Sequence, residues 1–394
     1  MWSETGARVR FKFAFGLAAG MAGILTFSSW GWGNELSLTS DLVLQEEYDD
    51  NVLLSQTVKE QSWITSLAPN VQARYGDERT SVTAGAWWEG RAYWSDSNLN
   101  TVTQRYTVSG ERRAERMTGG ASGTVIYDTT LDSELQQTGI VLERNARLSG
   151  TGEVSVGYAL TEQTQTTLTN RYTNTKYAST QLTDYVEDEV RWETRHVMSE
   201  TGHTLGGTAA GSFVAASPAY RSQEWSASVY FANAFSERLQ ASLSAGFRWT
   251  RVESGSPTSA TTDTGLVFDA SLTRHWETSS LVLELSSETN PSGAGLLLNT
   301  THGSLRGRYA VTDQATLTLN ADGYVNTVVA VQGANGNSTF VSIEPGVEWR
   351  LAEHLVVGGT YANLRQHIHQ VIGTSEVNAN RVMARLTYEW YRSE

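Results

Sequence analysis

Near its start the chain carries "LVLQEEYDDNVLLSQ" (42–56), which gathers Glu46, Glu47, Asp49, Asp50 and Asn51 around Tyr48. Carboxylates at that density could hold Ca²⁺, act as an acid–base pair, or mark a strand running out into water. Hard oxygen ligands suit Ca²⁺, but the central glycine and distal glutamate of an EF-hand loop are missing. Charge clusters ordinarily sit in solvent, so a solvated strand end is the reading preferred here. "VEDEVRWETRH" (186–196) is the densest charged segment, with Glu187, Glu189 and Glu193 two to four residues apart. Glycosidases need two carboxyl groups at ~5–10 Å across a substrate. The chain has 42 acidic residues, so such pairs arise by chance and no enzyme is inferred. "QHIHQ" puts His367 and His369 on one strand face, a spacing that can bind a metal, but no third ligand is near. No Ser-His-Asp order, phosphate loop or Gly-x-Ser-x-Gly pattern appears. No metal site or cofactor is expected. The absence of cysteine excludes disulfides, thiol catalysis and thiolate metal sites.

The elements that would position these charges are strands. Almost every segment alternates apolar and polar with period two. "LQASLSAGFRW" (239–249) puts Leu239, Ala241, Leu243, Ala245, Phe247 and Trp249 on one side and Gln240, Ser242, Ser244 and Arg248 on the other. "RVMARLTYEWY" (381–391) sets Val382, Ala384, Leu386, Tyr388 and Trp390 against Arg381, Arg385 and Glu389. The runs span about 10–16 residues, where globular strands have ~5–6. Their polar face is charged along its length, and Trp and Tyr recur toward strand ends, as in the girdles of transmembrane barrels.

Eight short polar connections, among them "GDER" (76–79), "TEQT" (161–164), "SETG" (199–202) and "AEH" (352–354), alternate with nine longer ones. Seventeen connections join eighteen strands, with sixteen as the alternative should an early hairpin fail. Lipid cannot satisfy an open strand edge, so a spanning sheet must close, and the last strand should pair with the first. The expected fold is all-β: one antiparallel up-and-down transmembrane barrel over residues 34–394. The longest connection, near 128–142, is a candidate to fold into the lumen. Ahead of the barrel, Arg8, Arg10 and Lys12 precede an apolar stretch and small residues at Gly31 and Gly33, the layout of a cleaved signal peptide over residues 1–33. The formal net charge is −13, and an acidic chain of this kind offers no footprint for nucleic acid.

Glu47-Tyr48-Asp49-Asp50-Asn51-Val52, followed by "SLAPNVQARY" (66–75) with its Pro69, resembles the opening of a family of β-barrel porins. Members of that family are often associated with exopolysaccharide and exosortase-type gene clusters. The resemblance implies an outer-membrane conduit for a secreted polysaccharide, surrounded by lipid and lipopolysaccharide and served by periplasmic export partners. It carries no catalytic residues.

In such a barrel the charged parity must line the lumen, because Arg or Lys facing lipid at mid-depth costs ~2–4 kcal/mol. The candidate lining is Glu89, Arg91, Arg105, Glu187, Glu189, Arg191, Glu193, Arg195, Arg248, Arg306, Arg308, Glu344, Glu348, Arg350, Arg381, Arg385 and Glu389. Asp188 and His196 share the lipid parity and are placed at the two rims. The mixed lining fits a wet lumen or charges that pair and hold the wall. Besides the polymer conduit, two functions stay open: a general or solute-selective diffusion porin, and a structural or adhesion barrel with a closed lumen.

Overall fold

A computed structural model of the protein describes residues 35–56, 58–137, 144–198, 203–254, 260–329, 337–369 and 374–393. The expected signal peptide and the "SETG" turn lie outside the described residues. Alternation of apolar and polar side chains yields eighteen strands. They are β1 (Glu35–Asp49), β2 (Ser62–Gly76), β3 (Thr80–Tyr93), β4 (Thr101–Arg113), β5 (Met117–Thr129) and β6 (Ala146–Ala159). Then come β7 (Thr164–Tyr177), β8 (Tyr185–Val197), β9 (Thr204–Ala216), β10 (Tyr220–Ser236), β11 (Leu239–Ser254) and β12 (Ala260–His275). The last six are β13 (Ser279–Pro291), β14 (Leu297–Ala310), β15 (Ala315–Val328), β16 (Ser338–Ala352), β17 (Leu355–His369) and β18 (Thr374–Ser393). An α-helix, α1 (Thr130–Gln137), follows β5, and a short 3-10 turn (Ser97–Leu99) lies between β3 and β4.

Each strand pairs antiparallel with its neighbours in sequence, and β1 closes the ring on β18 from Ser37↔Ser393 to Asp49↔Arg381. The result is an eighteen-strand barrel with no sixteen-strand ambiguity. Strands reach 20 residues in β18, longer than the ~9–11 a tilted strand needs to cross a bilayer. Short turns occupy one end and mostly longer connections the other, although the β9–β10 link at that second end is only residues 217–219, a departure from the alternation expected. We call the long-connection end the outer end, after the asymmetry of outer-membrane barrels.

Period two sorts the side chains into two environments. Leu36, Leu38, Leu42 and Leu44 of β1, Leu243 and Phe247 of β11, and Leu386, Tyr388 and Trp390 of β18 are exposed on the outward face. An apolar surface this extensive is a liability in water and a requirement in lipid. Buried residues concentrate instead inside the outer end, in three clusters. One joins Leu54, Leu131, Tyr324, Phe340, Leu364 and Val377. A second joins Tyr177, Tyr185, Val214, Tyr220, Val252 and Leu297. The third is Val52, Ile64 and Tyr93. The barrel interior is therefore packed at one end and polar at the other.

Candidate functional site

The acidic knot at the end of β1 is not a solvated strand end. Asp49 is 1% exposed and Asn51 is fully buried. Arg381 of β18 donates from Nε to Asp49 Oδ2 at 2.7 Å and lies 3.7 Å from Glu47. Asn380 donates to Asp50 from its backbone N at 2.8 Å and from Nδ2 at 2.7 Å. Asn51 Nδ2 donates to the carbonyls of Ser55 and Asn378 at 2.9 and 3.0 Å. The preference for solvent fails because the chain's two ends meet here. The first strand brings acids and the last brings Arg381, and their pairing locks the seam. Asp49 and Asp50 are engaged on separate partners, and the described residues contain no group of three or more metal-ligating side chains. Tyr48 points outward against Trp63, ring centroids 5.3 Å apart. Pro69 stands opposite Leu42 on the outward face. The motif that carried the resemblance is thus a closure device.

Two elements enter the outer mouth. The first is α1, within the connection expected to fold inward; residues 138–143 of that connection lie outside the described residues. Asp132 accepts from Arg91 Nη1 of β3 at 2.9 Å. Leu131 packs on the inner faces of β15–β18. Glu134 accepts from the Tyr177 hydroxyl at 2.5 Å and from the Gly293 backbone N at 3.4 Å. Burial pushes the Glu134 carboxyl above its usual range, and the Tyr177 hydrogen bond opposes that only in part.

The second element is the tip of the β13–β14 hairpin. Leu297 packs on the inner faces of β7–β11, and Thr183 N donates to Gly293 O at 2.8 Å. Gly295 takes φ +73°, a conformation that favours glycine, and a Cβ there would stand 2.9 Å from Thr183 Oγ1. The helix and the hairpin tip meet at Glu134, between opposite walls. Beside the helix a polar cavity of about 90 Å³ is lined by Glu47, Asp49, Arg91, Asp132 and Arg381.

Strand parity puts all seventeen candidate lining charges on the inner face. Many are neutralised there. Arg308 and Arg385 share Glu348 at 2.8 and 2.9 Å. Arg350 meets Glu389 at 3.5 Å and Arg306 meets Glu284 at 3.2 Å. Arg91 meets Glu89 at 3.0 Å, Arg191 meets Glu189 at 2.7 Å, and Arg195 bonds Glu193. Arg248 is 3.4 Å from Asp263. Arg105 lies 6.0 Å over the Trp87 ring. Glu344 has no ion-pair partner among the described residues but feels Arg385 and Arg381.

The wall from β8 to β13 differs. Among the described residues, its inner-face carboxylates Glu187, Glu224, Asp269 and Glu288 have no ion-pair partner, and Glu224 and Glu288 both act electrostatically on Glu187. Parity alone could have found Glu224, Asp269 and Glu288. No sequence signal marked Asp132, Glu134 or Gly293, whose role comes from crossing the lumen.

The outward-parity pair behaves as its chemistry requires. His196 Nδ1 is 2.9 Å from Thr164 Oγ1 at the short-turn rim. Asp188, three residues from the outer end of β8, accepts from Asn170 Nδ2 at 2.7 Å. His367 faces outward, 3.9 Å from Glu376; the His369 side chain lies outside the described residues.

No family model matches the sequence, and no curated protein matches it. Solved structures do. OccK2 (OpdF) of Pseudomonas aeruginosa in complex with glucuronate is similar at a TM-score of 0.50 and 10% identity, over 91% of this chain and 100% of that one. A BenF-like porin from Pseudomonas fluorescens Pf-5 is similar at 0.47 and 8%, over 90% and 99%. The outer membrane protein OpdK of Pseudomonas aeruginosa is similar at 0.46 and 12%, over 90% and 99%. The first of these carries the fold comparison. The chain shares that structure's fold.

Proposed function

We propose that the protein is an outer-membrane diffusion porin for small hydrated solutes, with a preference for cations. The packed outer mouth carries this reading. A secreted polysaccharide would have to leave through the end where α1 and the β13–β14 tip meet at Glu134. A small solute needs only a narrow path beside them. This replaces the polymer conduit implied by the resemblance, whose motif serves closure of the seam. The cation preference follows from the four carboxylates on the β8–β13 wall, because lining charges set the selectivity of a pore.

The test is the purified protein in planar bilayers and in liposomes. Discrete conductance, and liposome swelling by monosaccharides and amino acids but not by dextran, supports the diffusion porin. Passage of dextran returns the polymer conduit. Silence in both assays makes this a closed structural barrel.

A further inference from the structure

The last strands rise on their outward face from an apolar belt into a polar rim. Trp390 of β18 is exposed at the inner edge of the belt. From Trp390 up to Asn378 the strand climbs ~30 Å, taking ~3.3 Å per residue and a tilt of ~40°. An apolar belt is ~25 Å tall, so Asn378 stands at the level of the outer-leaflet headgroups. Below it on the same face, Ile343, Tyr361 and Val382 are exposed.

Two cations flank Asn378. Arg365 of β17 stands opposite it in the ladder. Lys59, from the connection after β1, donates from Nζ to its Oδ1. Arg365 donates from Nε to Asn363 Oδ1 at 3.2 Å, which leaves the outer edge of the guanidinium open. Neither cation has an ion-pair partner among the described residues, because the acids nearby are engaged elsewhere. Glu376 lies 3.9 Å from His367, Asp50 accepts twice from Asn380, and Glu60 accepts from Ser95 Oγ at 3.3 Å. Adjacent like charges repel unless an anion joins them, and on a chain of net charge −13 such a pair is an exception. The other outward cations near this rim differ. Arg251 is held by Glu253 at 2.9 Å, Arg221 stands opposite that same glutamate, and Lys176 faces Leu148.

We propose that Lys59 and Arg365 bind the phosphate monoester of an outer-leaflet glycolipid. Such a phosphate carries roughly −1.5 to −2 charge and three strong acceptor oxygens. One ammonium and the open edge of one guanidinium answer that charge with directed donors. The acyl chains lie below, over Ile343, Tyr361 and Val382. That apolar surface directly under the two cations favours a lipid over a free anion. The site is on the outer wall, separate from the axial path, and stands whether or not the diffusion reading holds.

The probe is diphosphoryl lipid A, titrated against the protein in detergent micelles with EDTA present and read by native mass spectrometry as lipid retained per barrel. Saturable binding is expected, and lipid A stripped of its phosphates should bind at least tenfold more weakly. Lys59→Gln and Arg365→Gln should each weaken diphosphoryl lipid A at least tenfold, while Arg251→Gln, on another sector of the wall, should bind as the wild type does. Should Arg365→Gln fail to form the barrel, Lys59→Gln carries the test, since Lys59 lies outside every strand. Inorganic phosphate at the concentration of the lipid should leave the lipid bound. Equal binding of lipid A with and without its phosphates overturns the proposal, as does the absence of saturable binding. So does affinity that neither Lys59→Gln nor Arg365→Gln changes, or a loss in Arg251→Gln as large as theirs. Displacement of the lipid by inorganic phosphate would make this a free-anion site and overturn it too.

Discussion

Removing the four unpaired carboxylates of the β8–β13 wall, by Glu187→Gln, Glu224→Gln, Asp269→Asn and Glu288→Gln together, should abolish the cation preference. An ion passing about 7 Å from one carboxylate gains ~0.6 kcal/mol in a water-filled lumen. At 0.1 M salt the Debye length is ~10 Å, which roughly halves that gain. Four sites then supply ~1.2 kcal/mol, roughly an eightfold enrichment of a monovalent cation over bulk. The opposite wall adds little, because the one positive charge that Arg308 and Arg385 leave over Glu348 is offset by Glu344, which feels Arg385. The assay is the reversal potential of the reconstituted protein across a tenfold KCl gradient. The wild-type potential should lie toward the K⁺ equilibrium value, shift to near zero in the quadruple variant, and shrink as salt rises. Glutamine and asparagine keep size and polarity, so conductance itself should change little. A potential that is the same in both proteins would refute the electrostatic argument while leaving the barrel untouched.

Asp132→Asn removes the ion pair between α1 and Arg91. A charged hydrogen bond contributes ~1.5–3 kcal/mol, so α1 should undock more often and mean single-channel conductance should rise. Burial raises the pKa of Glu134, so ionising it in place works against docking. Docking of α1 should therefore be firmest at acidic pH and weaken as pH rises through that raised pKa; conductance recorded from about pH 4 to about pH 8 should rise in the wild type and stay level in Glu134→Gln. Asp49→Asn leaves Arg381 facing only Glu47 at 3.7 Å. Breaking a buried pair costs ~3–5 kcal/mol, visible as a lower urea midpoint for unfolding in micelles. Leu243→Arg on the outward face should cost ~2–4 kcal/mol for insertion into liposomes, whereas Ser244→Arg, one residue on and facing inward, should insert as the wild type does.

Strand count, alternation of faces and the order of turns were legible in the sequence because they are local. A period-two pattern states which side chains share a face, and polar runs state where the chain must reverse. Arg381 and Arg385 could be assigned inward from "RVMARLTYEWY" alone. The same pattern could not say what stands across from them. Asp49 looked like a carboxylate in water because its partner lies 332 residues away, and only closure of the ring brings the two together. Glu134 and Gly293 gave no sign of their role, since a short helix and a hairpin tip reach each other only across the lumen.

The sequence by itself determined that this chain makes a closed, two-faced barrel, with eighteen strands expected and sixteen left open. Alternation at this length has one solution in lipid, and that solution needs no knowledge of distant contacts. Only the tertiary structure decided where the interior is packed, which charges are already paired, and that the β12–β13 ladder stops at Phe268↔Ser287. Each of these depends on the distance between residues far apart in the chain, and curvature and closure set that distance, not spacing along the sequence.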